Sequence, residues 1–365
     1  MHQSQSPLID IFCRVIDNFG DAGVMWRLAR AMRAKSYRVR LIIDDPKTLT
    51  FLAGVSQNSP TEKIGIDEGI EVIRWEKSWD SGYCPLESAD VVIEGFACRL
   101  PPGYEVLMRK SRPKWFNIDY FSAESWIEDC HLVPSIDPTS GLVKINYFPG
   151  VTARSGGLVI EKDYEERKAS FTLSHPAKSS GLRIFFFAYP YGPIKELATA
   201  IKALNTPIEL NLSQCEASHL LSKSDAIKSA PWVRVKNLPF TAQKDFDQLL
   251  WNSDIAFVRG EDSAARAMIA GVPFIWHIYH QDDDIHMVKL KALQNRLKSY
   301  FEEDSVFDMW CSVQESYNKG DFDQELFKVL VKALAQWNKA VKSFGSDLRS
   351  LGSLSDKLSD LIKNG

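Results

Sequence analysis

The chain opens with an apolar run, a polar turn and an amphipathic run, which read LIDIFCRVI (8–16), DNFGDAG (17–23) and VMWRLARAMRA (24–34). The first run is rich in β-branched and aromatic residues, which favours a strand. In the third run apolar residues recur every three or four positions, which favours a helix with one buried face. A strand, a turn and a helix in this order are the repeating unit of a parallel sheet wrapped by helices. We therefore predict an α/β fold.

The same alternation continues along the 365 residues, a length at which one hydrophobic core usually gives way to two. A polar stretch over residues 161–181 interrupts it and has little to bury, so it predicts a linker between domains. We predict a first Rossmann-like domain over 1–172, completed by a C-terminal helix over 349–365, and a second over 173–348.

Composition and charge exclude several classes of protein. Hydrophobic residues make up 45% of the chain and charged residues 25%, which is typical of a folded, soluble protein. The net charge of −3 provides no overall field for nucleic acid or for an anionic membrane. No targeting signal and no run of about 20 apolar residues is present. We predict a cytoplasmic protein without nucleic-acid or membrane partners.

The turn after the first strand is a candidate site because open α/β sheets bind ligands beyond the carboxyl ends of their strands. Asp17 and Asp21 lie in this turn, and Gly20 and Gly23 let it fold tightly. Either the two aspartates carry chemistry, or Asp17 merely ends the strand and Asp21 caps the helix. The residues alone leave both interpretations open.

A second candidate site, Arg259-Gly260-Glu261-Asp262-Ser263, again lies where a predicted strand gives way to a helix. Arg259 and the helix N-terminus would neutralise a diphosphate, and Glu261 would accept hydrogen bonds from sugar or ribose hydroxyls. In the alternative, Asp262 or Ser263 caps the helix and Arg259 pairs with Glu261 on the surface.

Aromatic residues accompany the second site. Phe185 and Phe186 are predicted to be buried in a strand, whereas Phe187 and Tyr189 at its end are placed to contact a planar base. Phe240, Gln243 and Phe246 complete this group. The side-chain amide of Gln243 is placed to form hydrogen bonds with the edge of the base.

Three histidines, His277, His280 and His286, lie near the acidic residues 282–284. Their spacing matches no strong zinc motif, and a solvated acidic loop explains them better. We predict no metal site.

Several segments resemble one family in order along nearly the whole chain. The residues Ile11 to Gly23 and Trp26 to Arg30 resemble the opening of the EarP family of protein-arginine rhamnosyltransferases. Further segments resemble family signatures: Ile93–Cys98, Asp119–Glu124, Phe148–Gly150, Gly156-Gly157 and Arg259–Ser263. The resemblance implies a GT-B fold, with two Rossmann-like domains facing a central cleft. It also implies an inverting transfer of rhamnose from dTDP-β-L-rhamnose to one arginine of translation elongation factor P, which then rescues ribosomes stalled at polyproline.

The resemblance also implies roles for single residues. Asp17 and Asp21 would act at the acceptor and reacting centre, in a turn completed by Asn18, Phe19, Gly20 and Gly23, while Glu261 would hold the donor. The nucleotide-binding surface would comprise Phe187, Tyr189, Phe240, Gln243, Phe246, Arg259, Asp262, Ser263 and Tyr279. No cofactor or metal is expected. The alternatives are a GT-B transferase with another nucleotide sugar or a small-molecule acceptor, and a non-catalytic nucleotide-sugar-binding regulator.

Overall fold

The computed structural model describes residues 6–16, 19–138, 140–175, 181–280 and 282–364. The chain divides into two compact units, one formed by Met1–Lys162 with Leu351–Gly365 and the other by Asp163–Ser350. The boundary lies after residue 162, where the sequence had suggested 172, and the chain returns to the first unit at residue 351.

The elements of the first unit alternate as predicted. Its strands are β1 (Leu8–Cys13), β2 (Arg38–Ile43), β3 (Glu71–Arg74), β4 (Val91–Gly95), β5 (Lys114–Ile118), β6 (Pro134–Ile136) and β7 (Val143–Tyr147). Its helices are α1 (Phe19–Ala34), α2 (Lys47–Ala53), α3 (Thr61–Ile64), α4 (Pro102–Ser111), α5 (Trp126–Cys130) and, from the end of the chain, α16 (Leu354–Asn364).

The second unit repeats the plan with five strands: β8 (Leu182–Phe186), β9 (Ile208–Leu212), β10 (Val233–Asn237), β11 (Ile255–Arg259) and β12 (Phe274–His277). Its first helices are α6 (Tyr164–Ser174), α7 (Ile194–Ala203), α8 (Glu216–Lys223), α9 (Asp225–Lys228) and α10 (Phe246–Trp251). They are followed by α11 (Gly260–Ala270), α12 (Ile285–Leu297), α13 (Asp304–Lys319), α14 (Gln324–Lys332) and α15 (Leu334–Ser350).

Helix α6 corrects the predicted linker over 161–181. Tyr164, its first residue, is buried, and its hydroxyl accepts a hydrogen bond from the indole N–H of Trp251 at 3.0 Å. The guanidinium of Arg266 lies 5.3 Å from the centre of the Tyr164 ring. One buried aromatic residue thus anchors α6 to the second unit. The average polarity of the segment, on which the linker prediction was based, does not reveal such a single contact.

The sheet of the first unit has the strand order β3-β2-β1-β4-β5-β7-β6, in which only the edge strand β6 is antiparallel to its neighbour. The order reverses between β1 and β4, so the connections that leave these two strands diverge to opposite sides. Such a switch point leaves a crevice at the carboxyl ends of the two strands.

Residues of β1 pack into two hydrophobic cores, one on each side of the sheet. Ile9 and Ile11 pack with Leu358 and Ile362 of α16, while Phe12 faces the second core on the other side of the sheet. This contact explains why the end of the chain returns to the first unit, since α16 buries its apolar face there.

The charged residue inside β1 is paired. Asp10 is fully buried, and its two carboxylate oxygens accept hydrogen bonds of 2.6 Å from the guanidinium of Arg40. The hydroxyl of Tyr104 also donates to Asp10. Burial raises the pKa of Asp10 even so. Removing one partner would leave a buried charge unpaired, which is costly, so this group fixes the strand that leads into the first candidate site.

The sheet of the second unit has the order β10-β9-β8-β11-β12, and all of its pairings are parallel. Its switch point lies between β8 and β11. Phe185 and Phe186 are fully buried in β8, as predicted. Among the described helices of both units, none combines the length and the apolar character required to cross a membrane.

Candidate functional site

The first candidate site lies at the switch point of the first sheet, beyond β1 and β4. Asp21 is in the first turn of α1 and is only 2% exposed. One of its carboxylate oxygens accepts the backbone N–H of Ile16 at 2.8 Å, and the other accepts the hydroxyl of Tyr120 at 3.1 Å. Asp17 and Asn18 lie outside the described residues. The carboxylate of Asp21 is thus held from two sides at the place where a ligand is expected.

Tyr120, for which the sequence predicts no separate role, is itself held in place. Its ring stacks on that of Phe96, with centroids 4.2 Å apart and an interplanar angle of 14°. Phe96 and Ala97 have positive φ angles of 57° and 50°, and the N–H of Ala97 is bound by the side chain of Asn117 at 2.9 Å. Left-handed backbone at residues with side chains costs free energy and is frequent at functional sites. The loop after β4 therefore orients Tyr120 through Phe96.

Phe19, Gly20 and Gly23 are further described residues of the turn predicted over 17–23. The ring of Phe19 packs edge-on against that of Phe51, with centroids 5.4 Å apart. Gly23 is buried within α1, and Gly20 is partly exposed. Arg27, on the same helix, is 2% exposed and forms a 2.6 Å ion pair with Glu161.

We expect Tyr120→Phe to lower kcat by about 10- to 100-fold, because a hydrogen bond to a charged group contributes roughly 1.5–3 kcal/mol. The ring and its stacking on Phe96 would stay, so folding should not change. Steady-state kinetics checks this, with Tyr37→Phe as the matched control, since the Tyr37 hydroxyl contacts Ser359 in the same unit. Equal kcat values for the two variants would show that Tyr120 does not position Asp21.

The second candidate site lies at the switch point of the other sheet, where β8 and β11 end. The guanidinium carbon of Arg259 is 4.3 Å from the ring centre of Phe187 and 5.0 Å from that of Tyr189. One of its N–H groups donates to the carbonyl of Ala188 at 3.3 Å. The planar cation is thus held against two rings beside the start of α11, where backbone N–H groups also attract anions.

The start of α11 is fixed by hydrogen bonds. The N–H of Arg259 donates to the Ser263 hydroxyl oxygen at 3.0 Å, and that hydroxyl donates to the Arg259 carbonyl. Gly260 has a φ of 62°, and its carbonyl accepts the indole N–H of Trp276 at 2.7 Å. Arg259 is the N-cap residue of α11, and no side chain caps the helix, so neither Asp262 nor Ser263 has the capping role that one interpretation gave them. Ser263 instead ties the first turn of α11 to the backbone of Arg259, which shapes the anion-attracting end.

The other residues predicted to bind the donor belong to the second unit, and several of them contact one another or neighbouring charged groups. The Gln243 amide donates to Asp262 at 3.1 Å, and Glu261 pairs with Lys289 at 3.4 Å. Phe246 contacts Phe187 edge-on, with centroids 6.1 Å apart. Phe240 and Tyr279 are 44% and 45% exposed, and the Tyr279 ring packs edge-on against that of Tyr189. Lys289 is a residue of this site that no sequence motif indicated.

His277, considered above as a metal ligand, has another role. Its Nδ1 accepts the backbone N–H of Tyr189 at 3.2 Å, and its ring packs against those of Tyr189 and Tyr191. Burial, with the nearby charge of Arg259, lowers the pKa of His277 to about 3. The imidazole is therefore neutral near pH 7 and holds the loop that carries Tyr189.

Comparisons with known proteins agree with one another. The model of the elongation factor P rhamnosyltransferase EarP family matches residues 9–363. A protein-arginine rhamnosyltransferase of Pseudomonas putida is 35% identical, covering 85% of this chain and 88% of its own length. One of Pseudomonas aeruginosa is 38% identical, covering 78% of this chain and 80% of its own.

Solved structures agree on the fold. A structure of EarP, reported as the basis for arginine glycosylation of translation elongation factor EF-P, matches with a TM-score of 0.63 and 24% identity, covering 99% of this chain and all of that one. The spinosyn rhamnosyltransferase SpnG matches with a TM-score of 0.57 and 11% identity, covering 98% of this chain and all of that one. The predicted GT-B fold and the predicted family are both confirmed. The chain belongs to the EarP family of elongation factor P rhamnosyltransferases.

Proposed function

We propose that this chain transfers L-rhamnose from dTDP-β-L-rhamnose to one arginine side chain of translation elongation factor P in the cytoplasm, with inversion at the sugar. Its curated relatives are protein-arginine rhamnosyltransferases, which supports the acceptor and the sugar. The observation that carries the proposal is the buried carboxylate of Asp21, held at the switch point of the first sheet by Ile16 and Tyr120.

An arginine needs such a carboxylate to react. Its guanidinium has a pKa of about 12.5–13.8, and its nitrogen lone pairs are delocalised, so it is a poor nucleophile. In the proposed step a guanidinium nitrogen bonds to the anomeric carbon while the bond from that carbon to the diphosphate oxygen breaks. Asp21 takes the proton that the nitrogen loses. Asp17, whose role rests on the family resemblance, orients the guanidinium.

The leaving group requires positive charge, and the second unit supplies it. Arg259 and the backbone N–H groups at the start of α11 would bind the diphosphate, so the proposal needs no metal ion for this step. Phe187 and Tyr189 would contact the thymine, and Glu261 would accept hydrogen bonds from the sugar hydroxyls. The displacement proceeds from one face of the sugar, which inverts the anomeric carbon.

Intact-mass analysis tests the proposal. Incubation of the chain with dTDP-β-L-rhamnose and elongation factor P should add one deoxyhexose to the factor, and a chelator should not prevent it. A factor whose modified arginine is replaced with lysine is the control and should gain no mass. Failure to form an adduct, with donor binding shown by calorimetry, would overturn the proposal in favour of a nucleotide-sugar-binding regulator. Transfer from another nucleotide sugar alone, or to a small molecule alone, would favour the other alternative.

A further inference from the structure

The connection between β12 and α12 brings together three potential metal ligands. His280, Asp284 and His286 each offer one ligand atom, and these three atoms lie within 4.8 Å of one another. His286 is buried, whereas His280 and Asp284 are exposed. The rings of the two histidines pack edge-on, with an interplanar angle of 69° and centroids 4.5 Å apart. His277, bound to the Tyr189 amide, is not one of the three.

The backbone explains why the spacing in the sequence did not reveal this cluster. Asp283 and Asp284 have φ angles of 57° and 56°, so two consecutive residues adopt the left-handed conformation. This conformation is unusual for residues with side chains, although aspartate tolerates it better than most. It turns the chain so that Asp284 lies beside His280 and His286. In a strand the three positions would share one face but His280 would lie roughly 13 Å from Asp284, and in a helix Asp284 and His286 would lie on different faces, so the pattern His-x3-Asp-x-His brings the ligands together in neither regular element.

Two imidazoles and one carboxylate favour particular ions. Neutral imidazole suits zinc, cobalt, nickel, copper and iron, whereas magnesium and calcium prefer oxygen ligands alone. His286 is the second residue of α12, so its ring is held at the start of a regular element while His280 and Asp284 lie in the connection before it. Three protein ligands on a half-exposed surface leave further coordination positions for water.

The cluster adjoins the donor residues without overlapping them. Tyr279 directly precedes His280, and the backbone N–H of His280 donates to the Tyr191 hydroxyl at 3.3 Å. Tyr191 in turn stacks on Tyr189, with centroids 5.2 Å apart and an interplanar angle of 7°. An ion bound by the cluster would join the loop that carries Tyr279 to the start of α12.

We propose that His280, Asp284 and His286 bind one divalent transition-metal ion of the zinc or cobalt class, and that the bound ion restrains Tyr279 at the rim of the second unit. The ion acts on the loop and not on the reacting atoms. Metal binding itself does not depend on the proposed rhamnosyl transfer, so the two can fail separately.

Calorimetry tests the site with untagged, chelator-treated full-length protein. Titration with Zn²⁺ should show one saturable site per chain, and titration with Mg²⁺ should show none. His280→Ala and Asp284→Asn should each weaken Zn²⁺ binding by at least about tenfold, since even partners outside the coordination sphere contribute 10–100-fold. Both side chains are exposed, and asparagine tolerates left-handed backbone, so both variants should fold.

His219→Ala is the matched control, because His219 is an exposed histidine of α8 in the same unit. The proposal is overturned if wild-type protein has no saturable Zn²⁺ site, if either ligand variant keeps wild-type affinity, or if the control loses as much as the ligand variants. Absorption of bound Co²⁺ provides a second readout, since the visible bands of a His-ligated ion should disappear in His280→Ala and persist in His219→Ala.

Discussion

Asp21→Asn should lower kcat by about 10²–10⁴-fold, which is the range that a positioned general base contributes. Asparagine has nearly the same volume, so the buried site should still pack, and its carbonyl oxygen can still accept one hydrogen bond. What it loses is the capacity to take a proton. Donor affinity should not change, because the donor residues belong to the second unit.

Single-turnover kinetics with saturating donor and acceptor measures this effect on the transfer step alone. Asp360→Asn is the matched control, since Asp360 is an exposed aspartate of α16 in the same unit and should keep wild-type kcat. If Asp21→Asn turns over at the wild-type rate, Asp21 is not the base, and the interpretation of this residue as a purely structural group at the start of α1 becomes the better one.

The alternating architecture could be predicted from the sequence because the strands are short β-rich runs with turn residues on either side. The predicted strand within residues 8–16 and the predicted helix over 24–34 correspond to β1 (Leu8–Cys13) and α1 (Phe19–Ala34). The helix Tyr164–Ser174 was missed for a physical reason. Its one buried residue is Tyr164, and charged residues and serines make up much of the rest, so its average composition is close to that of a linker.

At the candidate sites, too, the positions of some residues could be predicted from the sequence and those of others could not. Asp21 and Arg259 could be located because their positions follow from the rule that ligands bind at the ends of parallel strands. The partners of these residues could not be predicted. Tyr120 lies 99 positions from Asp21 and reaches it only because β4 pairs with β1 on one side and with β5 on the other. Lys289 reaches Glu261 from a different helix. The His280 cluster depends on two residues with left-handed backbone conformation, which the hydrophobic periodicity of the sequence does not indicate.

Arg259→Ala should weaken binding of dTDP by about 10- to 100-fold, because charge-assisted hydrogen bonds contribute roughly 1.5–3 kcal/mol. Binding of elongation factor P should change little, since only the donor carries phosphates for this cation. Calorimetry with each ligand separately checks the difference. Arg234→Ala is the control, because Arg234 is an exposed arginine on β10 in the same unit.

Binding of thymidine, which has the base and the sugar of dTDP but no phosphates, distinguishes the two ways in which Arg259 could act. The guanidinium lies against Phe187 and Tyr189 as well as beside the start of α11, so its loss could disturb the rings that face the base. If Arg259 binds the diphosphate, the alanine variant should lose affinity for dTDP and keep it for thymidine. Arg259→Lys should then recover part of the dTDP affinity, since it restores the charge but not the planar contact with both rings. Equal losses for thymidine and dTDP would instead assign Arg259 to ordering the base-binding rings.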